Sequence, residues 1–386
     1  MTLPGAAHKP WPTGAMDTGR VALSRVAPRI LPEEAAQACR RLIQFDPVAG
    51  ITYPGGASRS SVRAVGATRT VIVTRRKLPT RAALEAGVLR ELRAAGAPVP
   101  AVLAFDGEWL IQEDLGAQRL SAALGADDPL GAAEHAALAV TALLLCQTAA
   151  AKAGLAQRVA PIGVKPDWLA GLLSVPARVA QQLGLPDPAV GDVISSEQLQ
   201  PRRRSFVKWD ARPGNAVLAE GGGVGWIDWE HCGTRDALDD LAWLLCDEYM
   251  PDDARLEVEL LRRFLPPFAQ LSGRSPRDAL LYLSRFGSLH ACMRLHLVLK
   301  QKGDGAWWNP EACERTDRVG VTPQAASRLC LRGARWARRM PHGERMARFF
   351  LDAAECLSER PLDSLPPFAS TELARRNTPA DRTAPL

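Results

Sequence analysis

The 386-residue sequence has no run of eighteen or more uncharged apolar residues, which leaves it without an evident membrane span. The apolar stretch from Ala136 to Leu145 is better read as a buried helix. Residues Met1 to Met16 carry Pro, Gly, His and Lys but not the apolar segment of a secretory signal. None of the eight cysteines stands in a C-x-x-C pair. That argues against a zinc site and a disulfide framework, and fits reduced, partly buried thiols in a cytoplasmic protein. The aromatic-plus-basic spacing of an RNA-binding module is also missing. The net charge of +6 comes from dispersed residues, apart from Arg75-Arg76-Lys77, Arg202-Arg203-Arg204 and the arginines between Arg328 and Arg348. Neither nucleic acid nor a membrane is expected as a partner. No internal repeat is evident.

What is present is the composition of a globular protein, 47% hydrophobic and 23% charged, long enough for two lobes with their own cores. Residues 1–20 read as a flexible leader and the Pro-rich residues 361–386 as a flexible tail. A helix is expected near 32–44. The small-residue turn Gly55-Gly56-Ala57-Ser58 and two strands, around Val62–Val65 and Thr70–Arg75, follow it. Leu84, Val88, Leu89 and Leu92 share one face of a helix over Arg81–Ala95, and Gly96 ends it. Short strands at Ala101–Phe105 and Trp109–Gln112 flank an Asp106-Gly107 turn. From about Ser121 onward the pattern is mostly helical, broken by hairpins at 205–229.

The most informative stretch is Val207-Lys208-Trp209-Asp210-Ala211-Arg212-Pro213-Gly214-Asn215, with Trp226-Ile227-Asp228-Trp229-Glu230 shortly after it. Phosphoryl transfer needs one carboxylate to orient the attacking hydroxyl, and an Asn and a second carboxylate to hold magnesium on the phosphates. Asp210, Asn215 and Asp228 supply these parts in that order, and Pro213-Gly214 lets the loop turn back. Taken singly they would be turn residues and a strand cap; the combination is the signal.

These residues resemble the aminoglycoside phosphotransferase family, small-molecule kinases that usually read H-G-D-x-x-P-x-N, then I-D-W-E, then an acidic D-L-A helix. The chain keeps Asp210, Pro213, Asn215, Ile227-Asp228-Trp229-Glu230 and Asp240-Leu241-Ala242. It departs at Lys208, where the family has His, and at Trp209, where it has Gly. The resemblance spans roughly residues 50–250. It implies an α+β, bilobal protein-kinase-like fold, with a small β-rich N-lobe over 21–116 and a larger, mainly helical C-lobe over 117–360. It also implies ATP and magnesium as cofactors, with Asp210 contacting the acceptor hydroxyl and Asn215 and Asp228 holding the metal. Gly55, Gly56 and Ser58 would approach the phosphates, and backbone groups of Gln112, Glu113 and Asp114 would meet adenine. Arg75 is the first candidate for the β3 cation and Lys77 the second, with Glu85 as ion-pair partner. Lys208, Glu230 and Asp240 would support the site, Asp240 by accepting backbone N–H bonds.

The expected partner is a small molecule with a hydroxyl group: a sugar, an amino sugar or an amino alcohol. The acidic run Asp236, Asp239, Asp240, Asp247, Glu248, Asp252, Asp253 either favours a cationic acceptor or simply solvates a loop. Tyr282, Arg285, His290, Arg294, His296, Trp307 and Trp308 point instead to a sugar or an anion. A protein kinase is disfavoured because the interval from Asp228 to Asp240 is too short for an activation segment. The competing reading is a pseudokinase, a nucleotide-binding or scaffolding protein, on the strength of Lys208, Trp209 and the missing β3 lysine. Oligomeric state is not legible in these patterns.

Overall fold

The computed structural model describes residues 30–56, 59–125, 128–315 and 318–357. The expected leader (1–20), the tail (361–386) and Ser58 lie outside them. The first helix, α1 (Pro32–Ile43), opens with Pro at its first position and Glu33 and Glu34 in its first turn, and ends in Arg40 and Arg41. This charge order complements the helix dipole. A five-stranded antiparallel sheet follows, built from β1 (Gly50–Thr52), β2 (Ser61–Val65), β3 (Thr70–Arg75), β4 (Val102–Phe105) and β5 (Trp109–Glu113). Its order is β1-β2-β3-β5-β4. Helix α2 (Pro79–Ala94) separates β3 from β4.

The sheet's two faces do different work. Val62 and Ala64 of β2, Val71 and Val73 of β3, and Trp109 and Ile111 of β5 pack against Ile30, Ala35, Ala38 and Cys39 under α1. The alternate residues Ser61, Arg63, Ile72, Thr74 and Gln112 turn to a cleft between the sheet and the helical part. Strand periodicity of two produces this division directly.

The helical lobe contains α3 (Leu120–Gly125), α4 (Pro129–Lys152), α5 (Pro166–Leu173), α6 (Val175–Leu183), α7 (Ala237–Leu245), α8 (Ala254–Ser272), α9 (Pro276–Lys302), α10 (Pro310–Arg315), α11 (Pro323–Ala337) and α12 (Glu344–Leu357). Val88, Leu89 and Leu92 of α2 join the same core as Ala136, Ala139 and Leu143 of α4, so α2 is rooted in the helical lobe. Among the described residues α4 alone is long and apolar enough to cross a membrane. Its buried face (Ala136, Ala139, Val140, Leu143) forms part of this core, so packing accounts for its apolar composition.

Two small antiparallel ribbons interrupt the helices. The first pairs β6 (Ser205–Val207) with β9 (Gly233–Arg235), and the second pairs β7 (Ala216–Leu218) with β8 (Val224–Trp226). The loops leaving β6 and β8 carry the motif residues. Helix α7 follows β9, capped by the Asp236 carboxylate on the Leu238 N–H. All eight cysteines are free, seven of them buried.

Candidate active site

The loop after β6 is held in an uncommon shape. Trp209 and Asp210 have φ of 53° and 63°, and Asp228, just after β8, has 61°. Non-glycine residues in this region cost about 1–3 kcal/mol each and persist only where their surroundings fix them. Asp240 does much of that fixing. Fully buried on α7, it accepts the backbone N–H groups of Lys208 (2.7 Å) and Trp209 (2.8 Å) and the Gln147 side-chain amide (2.9 Å).

Lys208 is also fully buried. Its Nζ donates to the backbone carbonyl of Asp228 at 2.8 Å and to that of Asp210 at 3.4 Å, tying the two motif loops together. It lies over the Trp229 and Trp226 rings at 5.4 and 5.9 Å. Burial pulls its pKa below the usual lysine value, against the opposing pull of Asp210, Asp228 and Asp240. Trp209 fills the space a glycine would leave open, meeting Trp243 at 5.4 Å, Trp168 at 6.0 Å and Phe286 at 6.3 Å. Both departures from the family pattern are thus absorbed as supports.

Asp210 Oδ2 accepts from Asn215 Nδ2 at 2.7 Å, and its Oδ1 lies 3.4 Å from Arg212 Nε. Because Asn215 spends its amide nitrogen on Asp210, its amide oxygen is the end left for a cation. Arg119 donates to the Gly214 carbonyl at 2.7 Å and braces the turn from the other side. Asn215, Asp228 and Glu230 line the cleft together with Gly55, Ile72, Val217 and Ile227.

The cation at the end of β3 is Arg76, correcting the expectation of Arg75 or Lys77. Arg75 lies on the α1 face, paired with Glu34 at 3.2 Å and stacked 4.8 Å from the centre of the Trp109 ring. Lys77 is exposed. Alternation along β3 puts Ile72, Thr74 and Arg76 on the cleft side and Val71, Val73 and Arg75 on the core side. Arg76 donates to Glu85 through Nε (2.9 Å) and Nη2 (3.0 Å), to Asp228 through Nη2 (2.7 Å), and to Glu230 through Nη1 (3.0 Å). Glu85 also accepts the Trp229 N–H at 3.1 Å. Burial works to raise the Asp228 carboxyl, but Arg76 and Lys208 outweigh it and hold it well below the usual carboxylate range.

At the hinge, Gln112 and Glu113 pair within the sheet, opposite Ile72 and Val71 of β3. The Asp114 side chain has a supporting role, because it accepts from Arg63 Nη2 (2.9 Å) and Thr70 Oγ1 (2.7 Å). Arg63 continues to the Gly116 carbonyl at 2.8 Å. Gly116 has φ 146°, and a Cβ there would stand 2.6 Å from the Leu218 carbonyl oxygen, so the linker needs glycine to lie against β7. Gly55 and Gly56, with φ of 82° and 99°, form the turn between β1 and β2, and Gly55 borders the cleft.

Most of the acidic run is consumed by the fold; the exception is Asp247, whose Oδ2 is buried without a hydrogen-bond partner, 3.7 Å from Arg294 Nη2. Asp236 caps α7 and binds Arg274, while Asp239 pairs with Arg235 at 2.6 Å. Glu248 pairs with Arg294 and accepts the Gly320 N–H, Asp252 pairs with Arg335, and Asp253 caps α8. The opposing set is partly consumed too: the Tyr282 hydroxyl donates to Asp239 at 2.8 Å, and His290 packs 4.3 Å from Trp243. Neither group, read as a composition, selects an acceptor. Arg63, Arg76, Arg119 and Gln147 were not anticipated. Strand alternation carried a signal for Arg63 and Arg76; nothing local in the sequence marked Arg119 or Gln147.

Among the described residues no three His, Cys, Asp or Glu side chains gather into a metal cage. Magnesium does not need one, since it is usually held by one or two carboxylates together with substrate phosphates and water. The Asp228 carboxylate, 34% exposed, and the Asn215 amide oxygen fit that donor chemistry.

The sequence model of the phosphotransferase enzyme family matches residues 50–279. No curated protein matches the chain. Among solved structures it is similar to a choline/ethanolamine kinase family protein from Mesorhizobium loti, at 18% identity and a TM-score of 0.50, covering 82% of this chain and 98% of that one. It is also similar to a macrolide 2′-phosphotransferase from Brachybacterium faecium, at 15% identity and a TM-score of 0.49, covering 78% of this chain and 98% of that one. The first likeness agrees with the bilobal α+β architecture. With more than half of its length matched by the family model, the chain belongs to the phosphotransferase enzyme family.

Proposed function

We propose that the chain is an ATP- and magnesium-dependent phosphotransferase that moves the γ-phosphoryl group to a hydroxyl of a small molecule: a sugar, an amino sugar or an amino alcohol. The observation that carries this reading is the Asp210–Asn215 hydrogen bond set in the same cleft as Asp228. The Asp210 side chain is 24% exposed, and Asn215, which lines the cleft, fixes one of its carboxylate oxygens. In this reading Asp210 orients the acceptor hydroxyl and takes its proton as the new P–O bond forms. Asn215 and Asp228 would hold magnesium, which when bound neutralises charge on the phosphates. Ile72, Val217 and Ile227 offer the apolar walls an adenine ring requires, and Gly55, which borders the cleft, would approach the phosphates.

The test is turnover of ATP against a panel of small alcohols by the wild type and by Asp210→Asn. The variant should keep its stability and lose roughly 10²–10⁴-fold in turnover. Undiminished turnover would remove Asp210 from the chemistry. One observation favours a pseudokinase instead: Arg76 already occupies the Asp228 carboxylate at 2.7 Å. That reading expects nucleotide binding with no transfer to any acceptor.

A further inference from the structure

The loop that carries Asp210 lies against α7 and α9. Trp209 meets Trp243 of α7 at 5.4 Å and Phe286 of α9 at 6.3 Å, and Trp243 in turn meets His290 of α9 at 4.3 Å. One helical turn further along, Asp247 Oδ2 stands 3.7 Å from Arg294 Nη2. Arg212, 3.4 Å from Asp210 through Nε, also acts on the Asp247 carboxyl, and Asp210 acts on Arg294. In this seam three buried atoms have no hydrogen-bond partner among the described residues: Trp243 Nε1, Asp247 Oδ2 and His290 Nε2. Arg294 uses Nε and Nη2 on Glu248, and its Nη1 has no acceptor among the described residues either. Folded proteins leave few buried polar atoms unpaired, so a group of them beside a candidate catalytic carboxylate points to a ligand. None of these four residues lines the cleft that holds Asn215 and Asp228.

The charges of the seam are answered in pairs. Arg294 takes Glu248 and Arg212 takes Asp210, which leaves Asp247, with its Oδ1 on the Tyr249 N–H. Burial, and Glu248 beside it, push the Asp247 carboxyl up to about 7, so it adds only part of a charge at neutral pH. An ammonium donates and cannot accept, so it would leave Trp243 Nε1 and Arg294 Nη1 unserved next to two guanidiniums. A carboxylate accepts only, and would face Asp210, Asp247 and Glu248. A hydroxyl does both. We propose that this seam is the acceptor subsite and that it selects a neutral sugar or polyol over an amine or a hydroxy acid. One hydroxyl lies at Asp210 while its neighbours engage Arg294 Nη1 and Asp247 Oδ2. Asp247 and His290 are fully buried, so binding parts the seam between the Asp210 loop and α9. The transfer is the one given above: the hydroxyl oxygen bonds the γ-phosphorus, the bond to the ADP oxygen breaks, and the proton passes to Asp210. The inference rests on the phosphotransferase reading and narrows its acceptor.

The test is the initial rate with magnesium-ATP on three classes of acceptor: neutral (ribose, glucose, glycerol, myo-inositol), amine (glucosamine, ethanolamine, choline) and acid (glycerate, lactate). The best neutral acceptor should exceed the best of either other class about tenfold or more in kcat/KM. Asp247→Asn keeps an acceptor for the Tyr249 N–H and puts an amide nitrogen where Oδ2 stood. It should raise the KM of that acceptor about 10–100-fold and leave the KM of ATP unchanged, a split that a merely structural loss would not produce. Should Asp247→Asn fail to fold, Trp243→Phe keeps a ring, removes Nε1, and should raise the same KM about 2–10-fold. An amine or a hydroxy acid as the best substrate would overturn the inference and leave the phosphotransferase reading standing. An unchanged acceptor KM in the variants would do the same. Transfer to none of the three classes would overturn both.

Discussion

Replacing Asp240 by Ala should unlatch the loop that carries Asp210. The carboxylate accepts three buried hydrogen bonds, from the Lys208 and Trp209 N–H groups and from Gln147. Leaving a buried donor without a partner costs about 1–3 kcal/mol, so three such donors, with some relaxation, amount to about 3–6 kcal/mol. A typical domain has only about 5–15 kcal/mol in total. The same bonds hold Trp209 and Asp210 at positive φ, so the loop should relax even where the fold survives. Asp240→Asn keeps one acceptor and avoids burying a charge, and should cost about 1–3 kcal/mol. Urea unfolding followed by tryptophan fluorescence gives the stability difference. Hydrogen exchange at the Lys208 and Trp209 amides reports the loop directly. A loss below about 1 kcal/mol in Asp240→Ala, with both amides still protected, would refute the reasoning.

Lys208→Met strands the Asp228 and Asp210 carbonyls and removes a positive charge from among three carboxylates, so the urea midpoint should fall by the equivalent of about 3 kcal/mol. Trp209→Gly restores the residue usual in the family and suits the 53° φ, a gain of about 1–2 kcal/mol. It also loses three ring contacts, and at about 3–5 kcal/mol for a buried aromatic the variant should still be less stable in the same assay. His290 is pulled by burial, and secondarily by Arg294, from 6.5 down to about 3. The unfolded chain gains a proton first as pH falls, so this contribution is complete above pH 6.5 and is lost progressively down to about 3. His290→Phe should therefore flatten the acid decline of the unfolding free energy; an unchanged slope between those values would count against a neutral buried His290.

How much of this was legible in the sequence depends on the range of the interaction. The strands and helices of the N-terminal half were readable because alternation and 3.6-residue periodicity are local, and α2 and the β2–β3 hairpin lie within a residue or two of their expected bounds. Periodicity gives the phase only up to a choice of face. Arg75 and Arg76 are equivalent until α1 is known to cover the Val71–Val73 side, and α1 is distant in sequence. In the fold Asn215 and Asp228 line one cleft, and Asn215 donates to Asp210, so the three motif residues are near neighbours. The roles of the acidic run were not legible for the opposite reason. Its partners, Arg274 in the α8–α9 connection, Arg294 on α9 and Arg335 on α11, come from far downstream, and only the tertiary fold shows the pairing.

The central claim is that a γ-phosphoryl group ends on a small-molecule hydroxyl. Phosphorus NMR of the wild type with magnesium-ATP and an acceptor panel follows that group directly. The account predicts a new phosphomonoester signal growing in step with ADP for at least one acceptor. Bound nucleotide with no phosphomonoester from any sugar, amino sugar or amino alcohol would contradict it and leave a nucleotide-binding scaffold.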